Sequence, residues 1–278
     1  MRKIKIVADS SSDIFALDNI PYASTPMKIS TDEREFVDDS NLNVAEMVEY
    51  LYNYKGKSKS SCPNVNDWLE AFSDADDILC LTITSGLSGS YNSALVAKEI
   101  FESENEGKRV HVFDSLSAGP EIVLVIEKMK EYIEKGLAFE EICERIHNYM
   151  KKTGLMFMLK SLKNFANNGR ISPVVAKLVG IAGICIVGKA SEEGTLELME
   201  KCRGEKRAIS FLVDSLEAAG FKSGKISISH SENESAAIKM KELILEKFAN
   251  SNVEIHKCHG LCSFYAEKGG ILVGFEKE

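Results

Sequence analysis

The 278-residue sequence predicts an α/β fold in two parts: a three-layer α/β/α unit built on a parallel sheet, then a two-layer α/β unit built on a mixed sheet. Two observations predict it. Short Ile- and Val-rich runs alternate with amphipathic helices through the first half, the pattern of βαβ units and a mostly parallel sheet. After Lys151 the texture changes to short extended segments mixed with helices, and GKASEEGTLEL reads as a hairpin turning at Ser191-Glu192-Glu193-Gly194. We place the two units at 1–152 and 153–278, with short segments exchanging across the boundary.

KIKIVA (Lys3–Ala8) alternates and reads as a strand, followed by the polar loop DSSSD. Val44, Met47, Val48 and Leu51 share one helical face, as do Val65, Trp68, Leu69 and Phe72, the latter announced by Pro63 and an Asn64 N-cap. Strand ILCLTI (Ile78–Ile83) leads through a serine-rich turn into a helix over Leu95–Phe101. Strand RVHVF (Arg109–Phe113) then leads through DSLSAG into helices carrying Ile122, Ile126, Met129 and Ile133, and Ile142, Ile146 and Tyr149. In the second half, strands are expected at Leu155–Leu159, Gly183–Val187, Thr195–Met199, Lys225–Ser229 and Val253–Cys258, and helices near Pro173–Val179, Lys206–Ala219 and Ser235–Phe248.

Composition narrows the function classes. A net charge of −8 and a pI near 5.4 argue against nucleic acid as the main partner, since phosphate neutralisation needs clustered cations. MRKIKIVADS has no apolar run before a cleavage site, so no signal peptide is expected. The longest uncharged apolar run, Leu178–Gly188, falls well short of the roughly 20 residues that span a bilayer. Seven scattered cysteines, with Cys80 and Cys185 inside apolar runs, fit a reduced cytoplasmic chain rather than a disulfide framework.

The chemistry lies in polar turns. In a parallel α/β sheet, ligands bind outside the C-terminal strand ends. Asp9–Ser12, Thr84–Ser90 and Asp114–Ser117 are expected there, with Ser58–Asn64 just before a helix N-terminus. Such hydroxyls and amides suit an anion held without Arg or Lys. Each loop is also an ordinary helix cap.

A serine hydrolase using Ser88 is the rival reading. Gly86-Leu87-Ser88-Gly89-Ser90 puts the second glycine one place early for a nucleophile elbow, and of five histidines only His230, after KISIS, sits at a promising strand end. No Walker loop or G-x-G-x-x-G after the first strand is present. His256, Cys258, His259 and Cys262 match no common zinc spacing, so no metal is expected. Arg170 leaves the NNGR turn, and Arg203 with Lys206 and Arg207 forms a second basic group, a docking patch for an acidic partner or simply solvated charge.

Taken together, DSSSD, SSCP, TSGLSGSYNSA (Thr84–Ala94), DSLSAG, LKNFANNGRIS (Leu162–Ser172), EKCRGEKRA and GGILVGF (Gly269–Phe275) resemble, in this order and over essentially the whole chain, the DegV family of bacterial fatty acid-binding proteins. The resemblance implies the DegV-like two-domain fold and one long-chain fatty acid, such as palmitate, stearate or oleate, in an internal tunnel, with no other cofactor. Its carboxylate would rest on Ser60 and Ser61 of SSCP (the family's T-S-Q-P), on Ser85 and Ser88, and on Tyr265, which stands where the family usually has a histidine. The protein would not be a catalyst. As a monomer, it would present the acid to a separate fatty acid kinase for acyl phosphate formation in phospholipid synthesis, with Arg170 and Arg203 facing that kinase. A lipid-sensing protein without a kinase is a further alternative. Besides Tyr265, the sequence departs from the family at Ser60 and Cys62 of SSCP and at Ile186-Val187, where the family has Lys-Pro. Each buried methylene contributes about 0.8 kcal/mol. Leu155–Leu162, with the adaptable Met156 and Met158, and Leu178–Val187 are candidate tunnel walls, with ordinary core expected for most of these side chains.

Overall fold

A computed structural model describes residues 2–171, 175 and 183–278. Apart from residue 175, the expected helix near Pro173–Val179 and the wall segment 178–182 fall outside the described residues.

Strands β1 (Ile4–Asp9), β2 (Tyr22–Thr25), β6 (Asp77–Thr82) and β7 (Arg109–Asp114) form a wholly parallel sheet in the order β2-β1-β6-β7. Its strands are buried on both faces, hence the near-continuous apolar sequences. On one face Ile6, Ala8, Leu79, Leu81 and Phe113 pack against α4 (Pro120–Glu134) and α5 (Phe139–Met150). On the other, Val7, Ile78, Cys80, Val110 and Val112 pack against α2 (Val65–Phe72) and α3 (Ser90–Glu104) through Trp68, Phe72, Ala94 and Phe101. The side-chain period of two thus builds three layers. Asn64 caps α2 with a full capping box to Asp67, as its sequence indicates.

The mixed sheet has six strands, β8 (Thr153–Leu159), β9 (Ile184–Ala190), β10 (Leu196–Arg203), β11 (Gly224–His230), β12 (Ser251–Lys257) and β13 (Ile271–Glu276), in the order β10-β9-β8-β13-β11-β12. Only β11–β12 is parallel. The β9–β10 hairpin turns where expected, closed by Ser191 N donating to Thr195 O and Gly194 N to Ser191 O. Helices α7 (Glu205–Ala218) and α8 (Glu234–Lys247) cover one face, burying Met156, Met158, Val187, Ile226, Ile228, Val273 and Phe275. The opposite face presents Leu155, Phe157, Leu159, Leu196 and Leu272 towards the parallel-sheet half.

Elements absent from the sequence expectations complete the molecule. The short strands β3 (Lys28–Ser30), β4 (Glu35–Val37) and β5 (Lys59–Ser61) form an antiparallel sheet, and α1 (Val44–Asn53) packs over it. Helix α9 (Gly260–Ala266) seats Phe264 against Ile29, Met47 and Val48 of this layer. Ser10–Ser12 form a 3-10 turn after β1, and α6 (Lys163–Asn167) follows β8. GGILVGF, one of the segments that carry the family resemblance, contributes β13 in the middle of the mixed sheet.

A candidate ligand cavity between the two sheets

The hydroxyl-rich loops do meet. Thr84 N donates to Ser117 O, Ser115 N to Thr82 O, and Gly119 N to Ser11 O, tying three strand ends into one rim. Between this rim and the open face of the mixed sheet lies a cavity of about 270 Å3, near the lower end of ligand sites at about 300–1,000 Å3.

One end of the cavity is polar. Ser60 Oγ and Tyr265 OH lie 2.7 Å apart, joining β5 to α9. The Tyr265 ring rests on Phe165 at 4.6 Å between centroids. Ser60 N donates to Asn168 Oδ1, and Asn168 Nδ2 donates to Ser58 O, so the NNGR turn is fastened to β5. Ser61, Cys62, Ser88 and Arg170 line the same cavity. Arg170 Nε donates to Leu87 O at 3.1 Å and Nη1 donates to Asn168 O. Burial pushes the Tyr265 phenol up, opposed by its Ser60 bond and the Arg170 charge, so it stays a protonated donor at neutral pH. Burial also raises the Cys62 thiol, which is therefore a poor nucleophile. The arrangement offers neutral hydroxyls beside one half-buried guanidinium, a setting for an anion.

Four of the five expected anchoring residues, Ser60, Ser61, Ser88 and Tyr265, line this cavity, and Ser85 does not. Ser85 is exposed, with its N–H on Asp114 Oδ1. Thr84 takes the inward place because its N–H is held by Ser117 O, and its hydroxyl accepts from Gly86 N. Arg170, expected on a partner-facing surface, lies half-buried in the cavity wall, so the end expected to lack cations has one. Arg203 is exposed at the end of β10. The apolar wall also differs from expectation. Leu155, Phe157 and Leu159 face the cavity, while Met156 and Met158, one position out of phase, face α7 and α8. Ile184, Cys185, Ile186 and Val187 are not among the lining residues, whereas Ala190 and Leu196 are.

Two buried carboxylates hold this architecture: Asp9 of the DSSSD loop, and Asp38, which the sequence does not single out. Asp9 accepts from Ser11 Oγ at 2.5 Å, Ser90 Oγ at 2.6 Å and Ile83 N at 2.9 Å, fixing the serine turn to β1. Burial raises its pKa, and these donors oppose the rise. Asp38, fully buried, accepts from Ser10 Oγ at 2.7 Å, Gly260 N at 2.8 Å and Leu261 N at 2.8 Å, and pairs with His259 Nδ1 at 2.5 Å. It thereby pins the start of α9, which carries Leu261, Cys262, Tyr265 and Ala266 into the cavity wall.

The described lining contains no histidine, and Ser88 Oγ accepts from Ser90 N as a turn-stabilising group. His230 is buried and accepts from Asn233 N through Nδ1. Among the described residues, none next to Ser88 supplies the general base a serine hydrolase needs. Among the described residues no group of three or more His, Cys, Asp or Glu is placed to hold a metal ion, and no helix is long and apolar enough to cross a membrane.

Comparison with known proteins places the architecture. The DegV family model, described as "uncharacterised protein, DegV family", matches residues 3–278. The chain belongs to the DegV family. A DegV domain-containing protein of Streptococcus pneumoniae is 43% identical over 276 residues, covering 98% of each chain. The crystal structure of a DegV family protein from Eubacterium eligens loaded with heptadecanoic acid superposes with a TM-score of 0.96 at 43% identity, covering 99% of this chain and all of that one. The Streptococcus pneumoniae Fatty Acid Kinase (Fak) B3 protein loaded with linoleic acid gives 0.96 at 42% identity, over 99% of this chain and 100% of that one. Both solved relatives share the DegV arrangement of a parallel and a mixed sheet seen here.

Proposed function

We propose that this DegV protein binds one long-chain fatty acid in the cavity and presents its carboxylate to a partner kinase, without catalysing a reaction itself. The observation that carries the reading is the cavity's lining: Ser60, Tyr265, Ser88 and Arg170 gather at one end, and Leu155, Phe157, Leu159, Leu196 and Leu272 make a largely apolar wall along the rest, with the hydroxyls of Thr84, Ser117 and Thr195 on its rim. An acyl chain gains about 0.8 kcal/mol per buried methylene along such a wall. A carboxylate accepts up to about four hydrogen bonds, which the hydroxyls and guanidinium can supply. Two close structural relatives carry fatty acids, and one of them is a fatty acid kinase B protein. In this reading residues 1–152 and 153–278 are two lobes closing on the ligand in a cytoplasmic carrier.

The kinase step is tested with lipid-loaded protein and a fatty acid kinase, reading acyl phosphate formation. Arg203→Glu, outside the cavity, is expected to keep its lipid and to lose most turnover through charge reversal at the docking surface. Equal turnover would remove Arg203 from that surface. No acyl phosphate from the loaded, unaltered protein would favour a sensing role.

A further inference from the structure

We infer that Leu155 and Ala190 set the longest acyl chain this protein accepts, because they separate the cavity from a second, open groove behind it. The inference rests on the fatty acid reading above. Along β8 the cavity-facing residues run Leu159, Phe157, Leu155. Leu159 clusters with Phe165 and Ala266 beside the Tyr265 end. Leu155, four residues away at about 3.3 Å each, lies about 13 Å farther along the strand.

There the wall is thin. Leu155 and Ala190 line both the cavity and a groove of about 830 Å3 that runs between the β9–β10 turn and the start of α4. Backbone closes the rest of the partition. A Cβ on Gly194 would stand 2.9 Å from Leu116 Cα and 2.0 Å from Thr84 Oγ1, so the hairpin tip is seated directly on the opposite rim. A Cβ on Gly274, the β13 partner of Leu155, would stand 2.5 Å from Glu121 N, so α4 presses on the sheet at this point. These backbone contacts leave the Leu155 and Ala190 side chains as the adjustable part of the end wall. Beyond them the groove is open and mixed in character, with Lys189, Glu193, Glu197 and Lys277 interspersed among Leu116, Met150 and Phe275 on its walls. A tail that passed them would leave the enclosed cavity for an open groove shared with charged side chains and gain little further burial.

Affinities of saturated fatty acids of increasing length, measured by displacement of a fluorescent acyl probe, test this. The unaltered protein should gain about four-fold per added methylene up to a break, then stay level. Leu155→Ala should move the break about three carbons longer, the number of heavy atoms removed. Ala190→Leu, at a half-exposed strand end that tolerates the added atoms, should move it shorter. The same break in all three folded proteins would overturn the inference while leaving fatty acid binding intact. Binding of no acid by the unaltered protein would overturn both readings.

Discussion

Asp38→Ala is expected to lower the unfolding free energy by on the order of 3–5 kcal/mol, because it removes the only acceptor shown for several buried donors. Ser10 Oγ, Gly260 N and Leu261 N would each lose their partner, and His259 its carboxylate. Denaturant unfolding reads the loss. The damage should extend to the ligand site, since Asp38 N also donates to Met27 O and Met27 N to Ser10 Oγ, and Met27 lines the cavity. Asp38→Asn keeps one acceptor oxygen and should lose less. An alanine variant as stable as the unaltered protein would show that water replaces the carboxylate, and that the Asp38 cluster does not hold α9.

The second large effect concerns the polar end. Ser60→Ala and Tyr265→Phe each delete one hydroxyl of the 2.7 Å pair while leaving the fold's apolar contacts in place. A desolvated carboxylate that loses one donor gives up about 1.5–3 kcal/mol, so each variant should bind a fatty acid about 10- to 100-fold more weakly by titration. The double variant should fall short of the product of the two, because the hydroxyls act as one relay. Ser85→Ala should leave affinity unchanged, since Ser85 is exposed and outside the cavity. Loss of binding in Ser85→Ala with none in Ser60→Ala would move the carboxylate to the other side of the serine turn.

The contrast between Ser60 and Ser85 shows how far the sequence could be read. Long periodic elements were legible: β1, β6 and β7 as apolar runs, α1 and α2 as one-faced helices, and the β9–β10 hairpin from its polar turn. β2 to β5 were not, because three- or four-residue pieces such as KIS and EFV are too short to display a period. Face assignment in the mixed sheet failed for a related reason. β8 is apolar on both sides, one towards α7 and α8 and one towards the cavity, so alternation could not say that Leu155 rather than Met156 faces the cavity. At the serine turn the chain leaves strand geometry, and which hydroxyl points inward is decided by Thr84 N reaching Ser117 O. Asp38 left no local trace at all, as the backbone N–H groups it accepts from lie 222 and 223 residues away. Arg170 was legible as a candidate because it follows a tight turn, but its place in the cavity wall depends on Leu87 O, 83 residues earlier.

The opening of TSGLSGSYNSA is thus divided among three tasks. Thr84 and Ser88 face the cavity, Ser90 binds the buried Asp9, and Ser85 faces solvent. Among the described residues, no general base stands beside these hydroxyls.

The central claim is that the cavity holds one fatty acid, and extraction of the purified protein followed by mass spectrometry of the organic phase tests it most directly. The account predicts close to one equivalent of long-chain fatty acid per chain, or uptake of one equivalent from a fatty acid mixture after delipidation. Recovery of no acyl species, with none taken up by the folded delipidated protein, would contradict it.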